Sequence, residues 1–238
     1  MTEAKTRIGF LLFPSLTQLD LTGPFEPFAR LPNTAVHLVW KTLDPITSDV
    51  GLRLLPTDTF DSCPPLDVLC VPGGPGVNDL MADDEVLAFL RRQGEHARYV
   101  TSVCSGALVL GAAGLLAGYR AATHWASMEF LPQFGATPVN TRVCIDGNRI
   151  TGGGVTAGID FGLFLAAEIA GQPAAERLHL YMEYNPDPPF QAGHPDTAAP
   201  EIVQAFRDIG QAMMDQRREA VARAAAKLAG MTAPAGPV

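Results

Sequence analysis

Cys104 is the residue best placed to do chemistry in this chain. It stands in Arg98-Tyr-Val-Thr-Ser-Val-Cys-Ser-Gly-Ala-Leu108, where an apolar strand stops, one reactive side chain follows and small residues open a helix. This is the logic of a nucleophile elbow: the side chain is thrust above the sheet edge and small neighbours permit the sharp turn. Ligands of open α/β sheets collect at the carboxyl ends of strands, so the predicted position is one where a site is expected. Free cysteine is only a few per cent thiolate at neutral pH, and the unpaired N–H groups and dipole of a helix start favour the anion. A fall of about 2 pH units takes roughly 2.7 kcal/mol of differential stabilisation, within reach of such a setting. Cys63, Cys70 and Cys144 lack this setting and read as structural thiols.

Other groups are open to two readings each. Pro72-Gly73-Gly74 ends an earlier strand, and a parallel neighbour would bring it beside Cys104. Glycine there lets backbone N–H groups approach a reacting atom as an oxyanion hole, although the same residues also make a plain tight turn. Asp20 opens a helix after the first strand, between Leu19 and Leu21, and taken alone reads as a helix cap. Ser105 is a small helix-opening residue, or its hydroxyl holds substrate or water, or its N–H completes an oxyanion hole. His124 has the versatility of an acid–base group, but the adjoining Trp125 marks a packed corner. His37, His96, His179 and His194 are scattered. No HExxH-type spacing or Walker sequence occurs, and Gly152–Gly154 is not a dinucleotide fingerprint. Neither a metal nor a cofactor is expected. Phe25, Phe28 and Trp125 are candidate pocket walls at a spacing that equally suits a core.

The elements that must position these residues follow from the hydrophobic pattern. Ile8–Phe13, Ala35–Leu43, Leu66–Val71 and Arg98–Val103 read as strands, the first and third as continuous apolar runs buried on both faces. Thr17–Ala29, Asp83–His96, Gly106–Ala113 and His124–Leu131 read as helices, the last ended by Pro132. Ile46–Leu55, with Asp49 and Gly51 near its centre, reads as a hairpin. Val139–Ile145 and Asn148–Thr151 pair across Asp146-Gly147. Thr156 caps a buried helix that runs to Ala170 and stops at Gly171 and Pro173. Asn185–Pro200 reads as an ordered loop, and Pro200–Leu228 as the longest helix, with Val203, Phe206, Ile209 and Met213 on one face and a frayed tail beyond Met231. Strands alternating with helices imply a mainly parallel sheet covered on both sides.

Bulk properties exclude several functions. The chain has 238 residues, 47% of them hydrophobic and 18% charged, which suffices for a sizeable core. Its net charge of −8 argues against nucleic acid or an anionic membrane as partner, because both need a basic face. No apolar stretch approaches the roughly 20 residues of a membrane span. The N-terminus reads as having no signal peptide, and four unpaired cysteines suit a reducing cytoplasm.

Val71-Pro-Gly-Gly74, the Cys104-Ser-Gly turn and Ala122-Thr-His-Trp125 resemble the DJ-1/ThiJ/PfpI superfamily over about residues 7–185. Phe13-Pro-Ser-Leu-Thr-Gln-Leu-Asp-Leu-Thr-Gly-Pro-Phe-Glu26, Thr151–Asp160 and Tyr184–Gly193 look most like its isonitrile (isocyanide) hydratases. The resemblance implies a single-domain flavodoxin-like sandwich with a C-terminal loop and helix over 186–230. It also implies a cytoplasmic homodimer that adds water to a small-molecule isocyanide to give an N-substituted formamide through a thioimidate. It places Asp20 beside Cys104, where an apolar site would keep the carboxyl protonated and the two groups would titrate as a coupled pair. Gly74 and Ser105 become oxyanion or substrate-binding residues. Gly153, within Gly152–Gly154, becomes a point about which the following helix shifts as the cysteine changes charge. PfpI-type peptidases place His directly after Cys; Ser105 stands there, so a protease reading loses its base. Two rivals keep the same cysteine. One is a glyoxalase-type hydration with His124 assisting. The other is a redox- or ligand-sensing domain like those fused to AraC-type regulators, disfavoured by the acidic charge and by a single long helix after the core.

Overall fold

The computed structural model describes residues 5–232. In chain order these form β1 (Thr6–Leu11), α1 (Gln18–Ala29), β2 (Thr34–Trp40), β3 (Ile46–Thr47), β4 (Arg53–Leu54), β5 (Asp58–Thr59), β6 (Val68–Val71), α2 (Val77–Leu80) and α3 (Asp84–Gly94). There follow β7 (Tyr99–Val103), α4 (Gly106–Ala112), β8 (Arg120–Ala121), a 3₁₀ segment (Trp125–Phe134), β9 (Thr137–Pro138), β10 (Val143–Asp146), β11 (Arg149–Gly152), α5 (Ala157–Ala170), α6 (Gln172–Tyr181) and α7 (Pro200–Thr232).

The apolar runs become the centre of one seven-stranded sheet, ordered β10-β11-β7-β6-β1-β2-β5. All pairs in it are parallel except β10 with β11, joined by the expected Asp146-Gly147 turn. α1, α5 and α6 pack together, as do α2, α4, α7 and the 3₁₀ segment, giving the two covering layers that a doubly buried sheet requires. Taken in chain order, β2, β1, β6, β7 and β11 lie in the flavodoxin-like sequence, which reverses between β1 and β6. The carboxyl ends of β1, β6 and β7 therefore gather around one switch point.

Most expected elements are present, and the departures have local causes. α5 ends at Ala170 with Gly171 as its C-cap, as expected, but a further helix not read from the sequence, α6, starts at Gln172; Pro173 sits in its first turn, where proline's missing N–H costs nothing. Pro132 lies inside the 3₁₀ segment, which continues to Phe134. The strand expected from Val139 begins only at Val143. Thr156 occupies the N-cap position of α5 without a capping hydrogen bond; its hydroxyl instead accepts from Arg142 at 3.2 Å. The expected apolar face of α7 is left largely uncovered: Ile209 is 88% exposed and Phe206 47%, whereas Arg217, Ala220, Val221 and Ala224 are buried. Expectations for Met1–Ala4 and for the tail after Thr232 lie outside the described residues. No helix among the described residues is long and apolar enough to cross a membrane.

One glycine sets how closely α4 can approach the sheet. A Cβ on Gly106 would lie 2.1 Å from the Val71 carbonyl oxygen and 2.6 Å from that of Pro72, both backbone atoms that cannot swing aside. Gly106→Ala is expected to cost about 3 kcal/mol in urea unfolding, and an unchanged midpoint would show that α4 can retreat without loss.

Candidate active site

Cys104 occupies the turn between β7 and α4 with φ 54°, the left-handed region in which a side chain is rarely held. The conformation is held from two sides. The Cys104 N–H donates to the Gly152 carbonyl at 3.1 Å, extending the β7–β11 pairing, and the Thr123 hydroxyl donates to the Cys104 carbonyl at 2.7 Å. The small residues after the cysteine let α4 start immediately. These are the features of an elbow, and Cys104 is 7% exposed at its tip.

Asp20 reaches this point from α1, which follows β1. It lies in the first turn of the helix, but the cap position belongs to Thr17, so the cap reading of Asp20 is replaced by a different role. Its carboxyl is fully buried, and Oδ2 accepts the Gly73 N–H at 2.8 Å. Oδ1 meets no donor of ordinary hydrogen-bond geometry, and the Cys104 thiol lies beside the carboxyl and interacts with it. A Cβ on Gly73 would lie 2.6 Å from the Ser105 nitrogen and 2.7 Å from Asp20 Oδ2, so only glycine lets this turn sit between them.

Ser105 and Gly74 meet, although not in the predicted way. The Gly74 N–H donates to Ser105 Oγ at 3.0 Å, and the Ser105 hydroxyl is 3.4 Å from the Gly74 carbonyl. The Gly74 N–H is thus already engaged and is not an open oxyanion donor. The backbone N–H that faces the sulfur is that of Ser105. Gly153 donates its N–H to the Arg142 carbonyl at 2.9 Å, on the far side of Gly152 from the elbow.

The electrostatics correct the expectation of a lowered cysteine pKa. Burial pushes the Cys104 thiol up, and the Asp20 charge pushes it further, against the smaller opposing effects of the Ser105 N–H and the Arg217 guanidinium. Removing the charged form from water outweighs the field of one short helix. Burial likewise raises Asp20 to about 7, opposed by the Gly73 hydrogen bond. The two groups therefore hold their protons jointly and titrate as a pair. Cys63 and Cys70 are pushed to about 12 by burial, consistent with structural thiols.

His124 stands at the start of the 3₁₀ segment. Its Nδ1 accepts the Ala126 N–H at 3.3 Å, and its ring stacks with Phe206. Burial, and then the charge of Arg217, hold it down at about 4, so it is neutral at physiological pH. Within the Ala122–Trp125 motif it is Thr123 that holds the elbow. Phe28 belongs to the core and Phe25 packs against Phe10, whereas Trp125 lines a groove of about 460 Å³ together with Phe206, Met213, Met214 and Arg217.

Arg217 is the residue the sequence did not reveal. It lies on α7, 4% exposed, with its guanidinium turned into the site. Nη2 donates to the Gly74 carbonyl at 3.3 Å, Nη1 to Ser127 Oγ at 3.1 Å and Nε to Asn78 Oδ1 at 3.0 Å. An arginine 113 positions after the cysteine, beside Arg218 on a helix that read as an appendage, carries no local signal in the sequence.

Comparisons with known proteins agree with this architecture. The DJ-1/PfpI family matches residues 6–168. The isonitrile hydratase of Pseudomonas putida is 57% identical over 222 residues, covering 93% of this chain and 97% of that protein. An HTH-type transcriptional regulator, GbdR of Pseudomonas aeruginosa, is 31% identical over 69% of this chain, a match that covers 47% of the regulator. A THiJ/PfpI family protein from Pseudomonas syringae has a crystal structure that superposes with a TM-score of 0.89, at 45% identity over 92% of this chain and 91% of that one. With an elbow cysteine, a buried carboxyl and a glycine turn at one switch point, and with these matches across most of its length, the chain belongs to the DJ-1/PfpI family.

Proposed function

We propose that this protein is an isonitrile hydratase, a carbon–oxygen lyase that adds water to an organic isocyanide to give an N-substituted formamide. The observation that carries this reading is the 57% identity to the Pseudomonas putida isonitrile hydratase over nearly the whole of both chains. The site supplies the parts such a reaction needs. An isocyanide, R–N≡C, carries an electrophilic terminal carbon and must gain a nucleophile and a proton at that same atom.

In the proposed sequence the Cys104 sulfur attacks the terminal carbon while Asp20 takes the thiol proton and returns it to that carbon, leaving a thioimidate, Cys104–S–CH=N–R. Water adds across the C=N bond, its proton passing to nitrogen through Asp20. Expulsion of sulfur, with return of a proton from the hydroxyl to the thiol, releases HC(=O)–NH–R. Every atom of water ends in the product and both residues are regenerated. The Ser105 N–H supports the charged sulfur, and Ser105 Oγ with Gly74 keeps the turn in place. Gly153, in the segment leading to α5, lets that helix adjust as charge on the sulfur changes. His124, neutral and engaged, has no step of its own in this scheme.

The whole chain acts as one domain in this reading, as a cytoplasmic homodimer. Ile202, Phe206 and Ile209, exposed on the first half of α7, are the apolar surface that a second copy would cover. Intact-protein mass spectrometry during turnover of an aryl isocyanide tests the chemistry. The expected result is a transient increment equal to the isocyanide, mapped to Cys104, with N-aryl formamide released. Formamide without such an increment under rapid quench, or turnover of methylglyoxal in place of isocyanide, would remove the thioimidate or the substrate class respectively.

A further inference from the structure

We propose that Arg217 is a positioning residue that holds the Cys104–Asp20 pair in its singly protonated, negatively charged state, so that the C-terminal helix α7 sets the working pH of the site. This deepens the reading of Cys104 as the nucleophile and rests on it.

Among the described residues Arg217 is a buried cation with no carboxylate in hydrogen-bond contact. The Arg217 side chain is enclosed, yet its three hydrogen-bond acceptors are a serine hydroxyl, an asparagine amide oxygen and a backbone carbonyl, all neutral. A guanidinium removed from water needs negative charge near it, or it destabilises the fold. Its neighbour Arg218 is instead paired with Glu129 and Asp215 at the surface. The Gly74 carbonyl leads directly from Arg217 to the turn whose two N–H groups hold Asp20 and Ser105. The negative charge available to Arg217 on this path is the one that Cys104 and Asp20 share, and the interaction between Arg217 and Cys104 acts in both directions.

The other ionisable groups facing the pair do not supply this charge. Asp49 acts on Asp20 from the β3–β4 hairpin and opposes its ionisation, as does burial. Cys70 on β6 is held neutral. His124, on the 3₁₀ segment, is itself kept neutral partly by Arg217. Glu129 and Arg207 line the same groove as Arg217. Among the described residues Arg217 is the cation that acts on the cysteine, and it reaches the Gly74 carbonyl from α7, which packs against α2, α4 and the 3₁₀ segment.

The test measures the pH dependence of Cys104 alkylation by iodoacetamide, with the modified peptide identified by mass, in wild type, Arg217→Gln and Arg217→Lys. Glutamine keeps a polar amide donor but removes the charge; lysine retains the charge. The expected result is that the midpoint of the alkylation profile moves up by about one pH unit in R217Q, about a tenfold slower reaction at pH 6.5, and by less than half of that in R217K. Should R217Q fail to fold, R217M serves as the neutral variant. A neutral variant whose profile superimposes on wild type, whatever its melting temperature, overturns the proposal, and so does a lysine variant that shifts as far as the neutral one. Alkylation needs no isocyanide turnover, so failure of the hydratase reading would appear separately, as absent formamide with the profile shift intact.

Discussion

Cys104→Ala is expected to lower formamide production from an aryl isocyanide by at least about 10⁴-fold while leaving the fold intact. The loss is this large because the other groups have nothing to act through. Asp20 moves a proton that belongs to the thiol, the Ser105 N–H supports charge on the sulfur, and neither creates a nucleophile from water held in an apolar site. The fold survives because the elbow is held by backbone and by Thr123, not by the thiol. The Cys104 N–H bonds to Gly152 and its carbonyl accepts from Thr123, and both contacts remain in alanine. Alanine also meets the φ of 54° at much the same cost as cysteine. Product chromatography against thermal melting separates the two effects. Residual activity above about 1% of wild type in a folded variant would mean that water is activated without covalent capture.

Asp20→Asn is the second large effect, and its two consequences run in opposite directions. Activity is expected to fall about 10³-fold, because asparagine cannot accept the thiol proton or return it to carbon. Stability is expected to rise relative to wild type as the pH rises. Burial lifts the carboxyl from its ordinary 3.8 to about 7 in the folded protein. A group whose folded pKa is raised contributes its full stability below the unfolded value, and that contribution is lost as pH climbs through the folded value. Wild type should therefore weaken between about pH 4 and pH 7, by up to about 4 kcal/mol for three pH units. The asparagine variant has no charge to bury at this position and should show no such decline. Urea unfolding at pH 4.5 and pH 8 reads the difference directly, and parallel pH profiles for the two proteins would show that Asp20 ionises in the fold as readily as in the unfolded chain. The same titration predicts that wild-type kcat/KM rises with pH through about 7, since the singly protonated pair is the reactive form. Activity and stability thus trade against each other through one buried charge.

The Asp20 result shows what a local pattern cannot say. Leu19-Asp-Leu21 after a strand is written the same way whether the carboxyl caps its own helix or reaches a neighbouring turn 53 positions away. Resemblance to a family placed it beside Cys104, and the Gly73 N–H at 2.8 Å shows what holds it there. Gly74 illustrates the converse. Its sequence neighbourhood suits an oxyanion donor, but the hydroxyl that takes its N–H comes from the next strand's turn, so its engagement could be known only with both turns in place. The rise rather than fall of the Cys104 pKa has the same origin. A helix start is visible in the sequence, whereas the extent of burial and the nearness of a second acid are properties of the assembled site.

The alternation of buried strands and helices, the hairpin turns at Gly51 and Gly147, and the elbow at Cys104 are all legible along the chain. Each of these depends on residues within a few positions of one another: runs of apolar side chains, glycines at positive φ, and small residues where a helix must begin at once. Which charges meet was settled in three dimensions. Arg217 enters the site because α7 packs on α2, α4 and the 3₁₀ segment and reaches the Gly74 carbonyl, and Asp20 because β1 lies at the point where the strand order reverses. Electrostatic coupling depends on distance through space and on the exclusion of water, and neither follows from separation along the chain.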